Sequence, residues 1–167
     1  MRVLTAAVIV VAALAAWAPA TSAEDAGETI GLWRLVQVKH PVTDVVNVMA
    51  SARSGQDHMR LVCKPSEPKA RQLMINHQPF LGRGGGRLTY RIDGQPAVDI
   101  DVLLYNQSGF VSGADAQAFF AALPGAKRVR LLVTDRIVGP VLAEYDVTGV
   151  DKVLARLAEL CDGPAKP

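Results

Sequence analysis

Arg87-Leu88-Thr89-Tyr90-Arg91-Ile92-Asp93-Gly94, returning through Ala97-Val98-Asp99-Ile100-Asp101-Val102-Leu103-Leu104, is the stretch that decides the fold. Leu88, Tyr90 and Ile92 alternate with Arg87, Thr89, Arg91 and Asp93, the period of a strand with one buried face. Asp93-Gly94 is a pair suited to a tight hairpin turn. The chain then comes back with Val98, Ile100 and Val102 set against Asp99 and Asp101. Two such segments make an antiparallel hairpin, so antiparallel pairing is the expected rule for what surrounds it.

Upstream, four further strands are expected over residues 32–39, 45–52, 58–64 and 71–76, after a loose polar entry at 24–30. His40-Pro41 ends the first, because proline donates no ladder hydrogen bond and restrains the residue before it. Ser54-Gly55-Gln56-Asp57 and Pro65-Ser66-Glu67-Pro68 read as turns. Met59, Leu61 and Cys63 fall on one face of the third strand, which points the cysteine into the core. Downstream the period changes. Ser112-Gly113-Ala114-Asp115 opens a helix over 116–123 with Phe119, Phe120 and Leu123 as its stripe, and Pro124-Gly125 stops it. Strands over 128–134 and 141–147 follow, joined across Gly139-Pro140. Val150, Val153, Leu154, Leu157 and Leu160 or Cys161 then recur at helical spacing over 150–160. About eight strands and two helices, the second C-terminal, give an α+β domain built mainly on antiparallel sheet.

The start of the chain reads differently. Arg2, the apolar run Val3 to Ala16 and the small residues Thr21-Ser22-Ala23 have the layout of a secretory signal peptide over residues 1–23. A retained anchor is the alternative, but a spanning helix needs about 20 strongly apolar residues, and this run is Ala-rich and ended by Pro19. Cleavage leaves one exported domain over residues 24–167, periplasmic or secreted. Of the 18 basic residues only Arg2 is removed, leaving 17 against 16 acidic ones. So small an excess gives no support for a nucleic-acid surface. Cys63 and Cys161 are too far apart for zinc-ligand spacing, and in an oxidising compartment they read as one bridge. Closing so long a loop is worth roughly 4–5 kcal/mol in the chain-entropy account. Two buried free thiols are the alternative.

Candidate chemistry is sparse. Gly82-Arg83-Gly84-Gly85-Gly86-Arg87 reads either as a flexible connection or as an anion contact, with backbone N–H groups and the Arg83 and Arg87 forks around a phosphate or carboxylate. Phosphate loops lead from a strand into a helix N-terminus, whereas a strand follows here, which favours the connection. Asp99 and Asp101 share a strand face. Paired carboxylates can hydrolyse, and a solvated strand face explains them more economically. His40, His58 and His77 have no second ligand at metal spacing and read as surface or edge residues. Ser108, in Asn106-Gln107-Ser108-Gly109, reads as a turn residue and not as an activated serine; the tripeptide is also a formal glycosylation sequon. Trp33 reads as a core aromatic or, in the minority view, an exposed contact. No cofactor or metal is expected.

Trp33, Pro41-Val42-Thr43-Asp44-Val45, Arg60-Leu61-Val62-Cys63, Tyr90-Arg91-Ile92-Asp93, the Phe119-to-Leu123 helix and Ala143-Glu144-Tyr145-Asp146-Val147-Thr148-Gly149 leading to Cys161 come in an order that resembles the VasI-type exported accessory proteins of type VI secretion systems. The resemblance implies an envelope-located, non-enzymatic protein with a Cys63–Cys161 bridge and other envelope proteins as partners. The expected function is therefore an exported accessory or binding protein. The alternatives are a small exported hydrolase using Asp99 and Asp101, and an anion-binding domain using Arg83 and Arg87.

Overall fold

A computed structural model describes residues 27–78, 80–135 and 139–163. The segment expected to be a signal peptide lies outside them. Ten strands are seen among the described residues: β1 (Glu28–Ile30), β2 (Trp33–Lys39), β3 (Val46–Ser54), β4 (Asp57–Lys64), β5 (Glu67–Asn76), β6 (Gly82–Ile92), β7 (Val98–Asn106), β8 (Ser108–Ser112), β9 (Arg128–Asp135) and β10 (Gly139–Asp146). Helix α1 (Gly113–Ala122) joins β8 to β9, and α2 (Val150–Cys161) closes the fold. The expected α+β class is what the structure has.

All pairings are antiparallel within one sheet of order β1-β2-β3-β4-β5-β8-β7-β6-β9-β10. The β6–β7–β8 meander folds back so that β8, not β6, lies beside β5, a Greek-key arrangement. The connection leaving β5 is pinned as it crosses the β7–β8 turn. The His77 N–H donates to the Gln107 carbonyl at 2.9 Å and the Leu81 N–H to the Asn106 carbonyl at 2.6 Å. β10 comes back against β3 without joining its ladder, so the sheet curls over its core and stays open.

The concave face holds that core. Trp33, Met59, Leu61, Leu73, Leu88, Phe119, Leu131 and Tyr145 are among its fully buried side chains. α2 lays Val150, Val153, Leu157 and Cys161 onto β2–β5, and Cys161 is bonded to Cys63 of β4 with Cα atoms 6.2 Å apart. Tyr90 meets Phe119 edge-to-face at 5.0 Å, fixing α1 over β6. No helix among the described residues is long and apolar enough to cross a membrane.

Five points of the sequence reading are corrected. β1 lies in the stretch taken for a loose entry, and β8 was not foreseen. Both are short, and β8 turns Gly109 inward, so its alternation is invisible in side-chain type. Glu67 and Pro68 begin β5 instead of sitting in a turn. Gly139 and Pro140 pair with Asp135 and Thr134 inside the last hairpin instead of forming its turn; residues 136–138 lie outside the described residues. Most consequential, Gly82–Gly86 is no loose connection: it is the first half of β6, paired from Gly82↔Asn106 to Gly86↔Val102. A β carbon at Gly86 would lie 2.6 Å from Leu104 Cδ1, so any larger residue there makes the buried Leu104 side chain shift.

Candidate functional site

The convex face of the sheet holds the residues available for contact. Strand alternation turns Arg53, His58, Asn76, Ser108, Tyr105 and Arg83 outward, and the pairing registers place them side by side across six strands, from β3 to β6. The adjacent row on the same face runs Arg60, Met74, Phe110, Leu103 and Gly85. Leu103 and Tyr105 are each 61% exposed. Large apolar side chains two apart on one strand, in the middle of a sheet, form a local apolar platform.

Side-chain bonds order these rows. The Arg60 guanidinium donates to Asn76 Oδ1, and Asn76 Nδ2 donates to Ser108 Oγ at 2.7 Å. Arg83 Nε donates to Asn106 Oδ1 at 3.0 Å, and its guanidinium lies 5.7 Å from the Tyr105 ring centroid, within cation–π range. Burial, reinforced by Arg53, holds Arg60 below the usual arginine value. Burial, with Arg60 and then Arg53 adding to it, also lowers the His58 pKa.

Arg83 and Arg87, the expected anion contacts, have different neighbours. Both are exposed on β6 with Gly85 between them, but Arg87 approaches Asp99 Oδ2 at 3.6 Å whereas Arg83 turns to Asn106 and Tyr105. A cleft of about 640 Å³ opens beside Gly85, Gly86 and Arg87, and Asp101 and Asp135 line it too. Asp99 accepts a hydrogen bond from the Thr89 hydroxyl at 2.5 Å. Asp99 and Asp101 are both exposed on β7, as a solvated strand face requires.

The histidines divide. His40 is exposed and caps its own turn, accepting the Val42 and Thr43 N–H groups at Nδ1. His58 at the start of β4 and His77 just past the end of β5 are half-buried at strand boundaries. His77 Nε2 is 3.1 Å from Asp57 Oδ2, an ion pair only when the imidazole is protonated. Among the described residues no three metal-ligating side chains converge. Ser108 opens β8 directly after the Asn106-Gln107 turn. Trp33 is fully buried, in the core.

Sequence reasoning missed the platform because Leu103 belongs to a run, Val102-Leu103-Leu104, with no visible outward member. The continuing alternation from Asp99 and Asp101 was the available signal: it turns Leu103 and Tyr105 to the same side as the two acids.

Neither a family model nor a curated protein sequence matches the chain. Among solved structures, the crystal structure of invasion associated protein B from Bartonella henselae is similar in fold, with a TM-score of 0.55 and 17% identity over 80% of this chain and 96% of that one. At this identity the likeness speaks to fold alone.

Proposed function

We propose that this chain is an exported, non-enzymatic accessory protein that binds another envelope protein through the convex face of its sheet. The observation that carries the reading is the exposure of Leu103 and Tyr105, side by side on β7 at the centre of the sheet. Leaving them in water forgoes apolar burial worth roughly 25 cal/mol per Å², which a partner recovers. The Cys63–Cys161 bridge supports an oxidising compartment. The likeness to an invasion-associated protein agrees with an accessory role, and the short VasI-type motifs suggest that the envelope system is type VI-like.

A photo-reactive residue placed at 103 in the full chain, in cells, tests this. A defined adduct is expected from position 103 and none from Leu32, an equally exposed site on the β1–β2 turn. Equal labelling from both positions, or none from 103, would remove the proposal. A hydrolase role keeps one discriminator: any activity unaffected by Asp99→Asn does not belong to that carboxylate.

A further inference from the structure

Charge on the convex face is unevenly matched. Towards β9 and β10 three outward arginines have carboxylates: Arg128 and Arg130 both pair with Glu144, and Arg87 approaches Asp99, while Arg91, opposite Arg130, forms no ion pair among the described residues. Along the row that starts at Arg53 they do not. Arg53, Arg60 and Arg83 form no ion pair among the described residues, although Arg53 shares a cleft with Glu144 and Asp146 where β10 comes back against β3. Arg60 and Arg83 are held instead by the neutral amides of Asn76 and Asn106. An amide oxygen orients a guanidinium without cancelling its charge, so these groups are placed and left positive.

The next row adds the second component. Met74 and Phe110 are half-buried, Leu103 stands clear of them, and Gly85 opposite Leu103 contributes no side chain, its β-carbon position having nothing within 4 Å. The surface therefore offers oriented positive charge beside an apolar ridge with an open flank. A polysaccharide polyanion matches the arginines but has no use for Leu103. A bilayer matches both, but a flat surface meets a curled, convex sheet only along a narrow strip. A protein segment matches both and can follow the curve.

We infer that the segment this face takes is acidic, with carboxylates set to meet Arg53, Arg60 and Arg83 and an apolar side chain seated against Leu103 and Tyr105. The inference rests on the reading of the convex face as the working surface and specifies the chemistry of its partner. Six strands at about 4.8 Å spacing put Arg53 and Arg83 roughly 24 Å apart along the sheet, the reach of about seven extended residues. The matching potentials speed encounter and exclude basic partners.

The test selects short random peptides, displayed on phage, against the full wild-type chain. Recovered sequences are expected to combine Asp or Glu with an apolar residue. They should bind Arg53→Gln/Arg83→Gln at least roughly tenfold more weakly, while Arg53→Lys/Arg83→Lys keeps most of the affinity. Both arginines are exposed, and an unchanged thermal melt certifies that the variants fold. Peptides without acidic enrichment that still depend on Leu103 overturn the charge inference and leave the binding surface standing. Peptides indifferent to Leu103→Ser and to both arginines remove the surface as well. Heparin or phosphatidylglycerol vesicles binding through the same arginines, with no acidic peptide able to compete, would also overturn it.

Discussion

Gly82 lies against Asp135: a β carbon on the glycine would stand 2.7 Å from Cγ and Oδ2 of that carboxylate. The glycine also has φ +119°, a region that side-chain-bearing residues avoid. The start of β6 and the end of β9 are thus fitted to each other through a residue whose merit is having no side chain. Gly82→Ala is expected to cost about 1–3 kcal/mol from the backbone alone. A chemical denaturation midpoint equal to the wild type would show that the strand start can relax.

Cys63 and Cys161 are both buried, and their bond ties the end of α2 to β4. Cys161→Ser is expected to lose roughly 2–5 kcal/mol and to expose α2 to protease before the sheet. Thiol titration with and without denaturant checks the bond, and limited proteolysis followed by mass spectrometry checks the order. Cleavage that begins in the β6–β7 hairpin would place the weak point elsewhere.

His58 makes stability sensitive to pH in a defined direction. Burial, with Arg60 and Arg53 adding and Asp57 opposing, lowers its pKa from 6.5 in the folded chain. Below that value the unfolded chain takes up a proton that the folded one resists, so this contribution is whole above pH 6.5 and is lost as pH falls through the window beneath it. The fall in denaturation midpoint between about pH 7.5 and about pH 5.5 is expected to be smaller in His58→Gln than in the wild type. Equal falls would assign the acid sensitivity to other groups.

The Tyr145 hydroxyl is buried with no hydrogen-bond partner among the described residues, and burial, with Asp57 adding, pushes its pKa up. Removing a polar atom that makes no bond relieves its desolvation without creating a cavity larger than one oxygen. Tyr145→Phe is expected to leave stability unchanged or raise it by up to about 1 kcal/mol. A loss beyond about 1 kcal/mol would mean that the hydroxyl is bonded in solution.

Legibility followed the side-chain pattern. The β6–β7 hairpin was readable because Leu88, Tyr90, Ile92 and Val98, Ile100, Val102 alternate with polar residues around Asp93-Gly94. α2 was readable from Val150, Val153 and Leu157. The glycine half of β6 was not, since Gly82, Gly84, Gly85 and Gly86 carry no alternation to see, although the ladder to β7 runs through all of them. Arg83 could be singled out as a charge beside glycines. Its actual neighbours, Asn106 and Tyr105, are brought to it only by that ladder.

Residue order by itself determined the local periods, the class and the inward face of Cys63, because these depend on neighbours within one strand or helix. It did not determine that β8 slips between β5 and β7, nor therefore that Arg53, Asn76, Ser108, Tyr105 and Arg83 share one line. Which strands pair is settled by closing long loops around a common core, a balance between chain entropy and burial summed over the whole domain. Only the tertiary structure decided it, and with it which arginines stand together on the convex face.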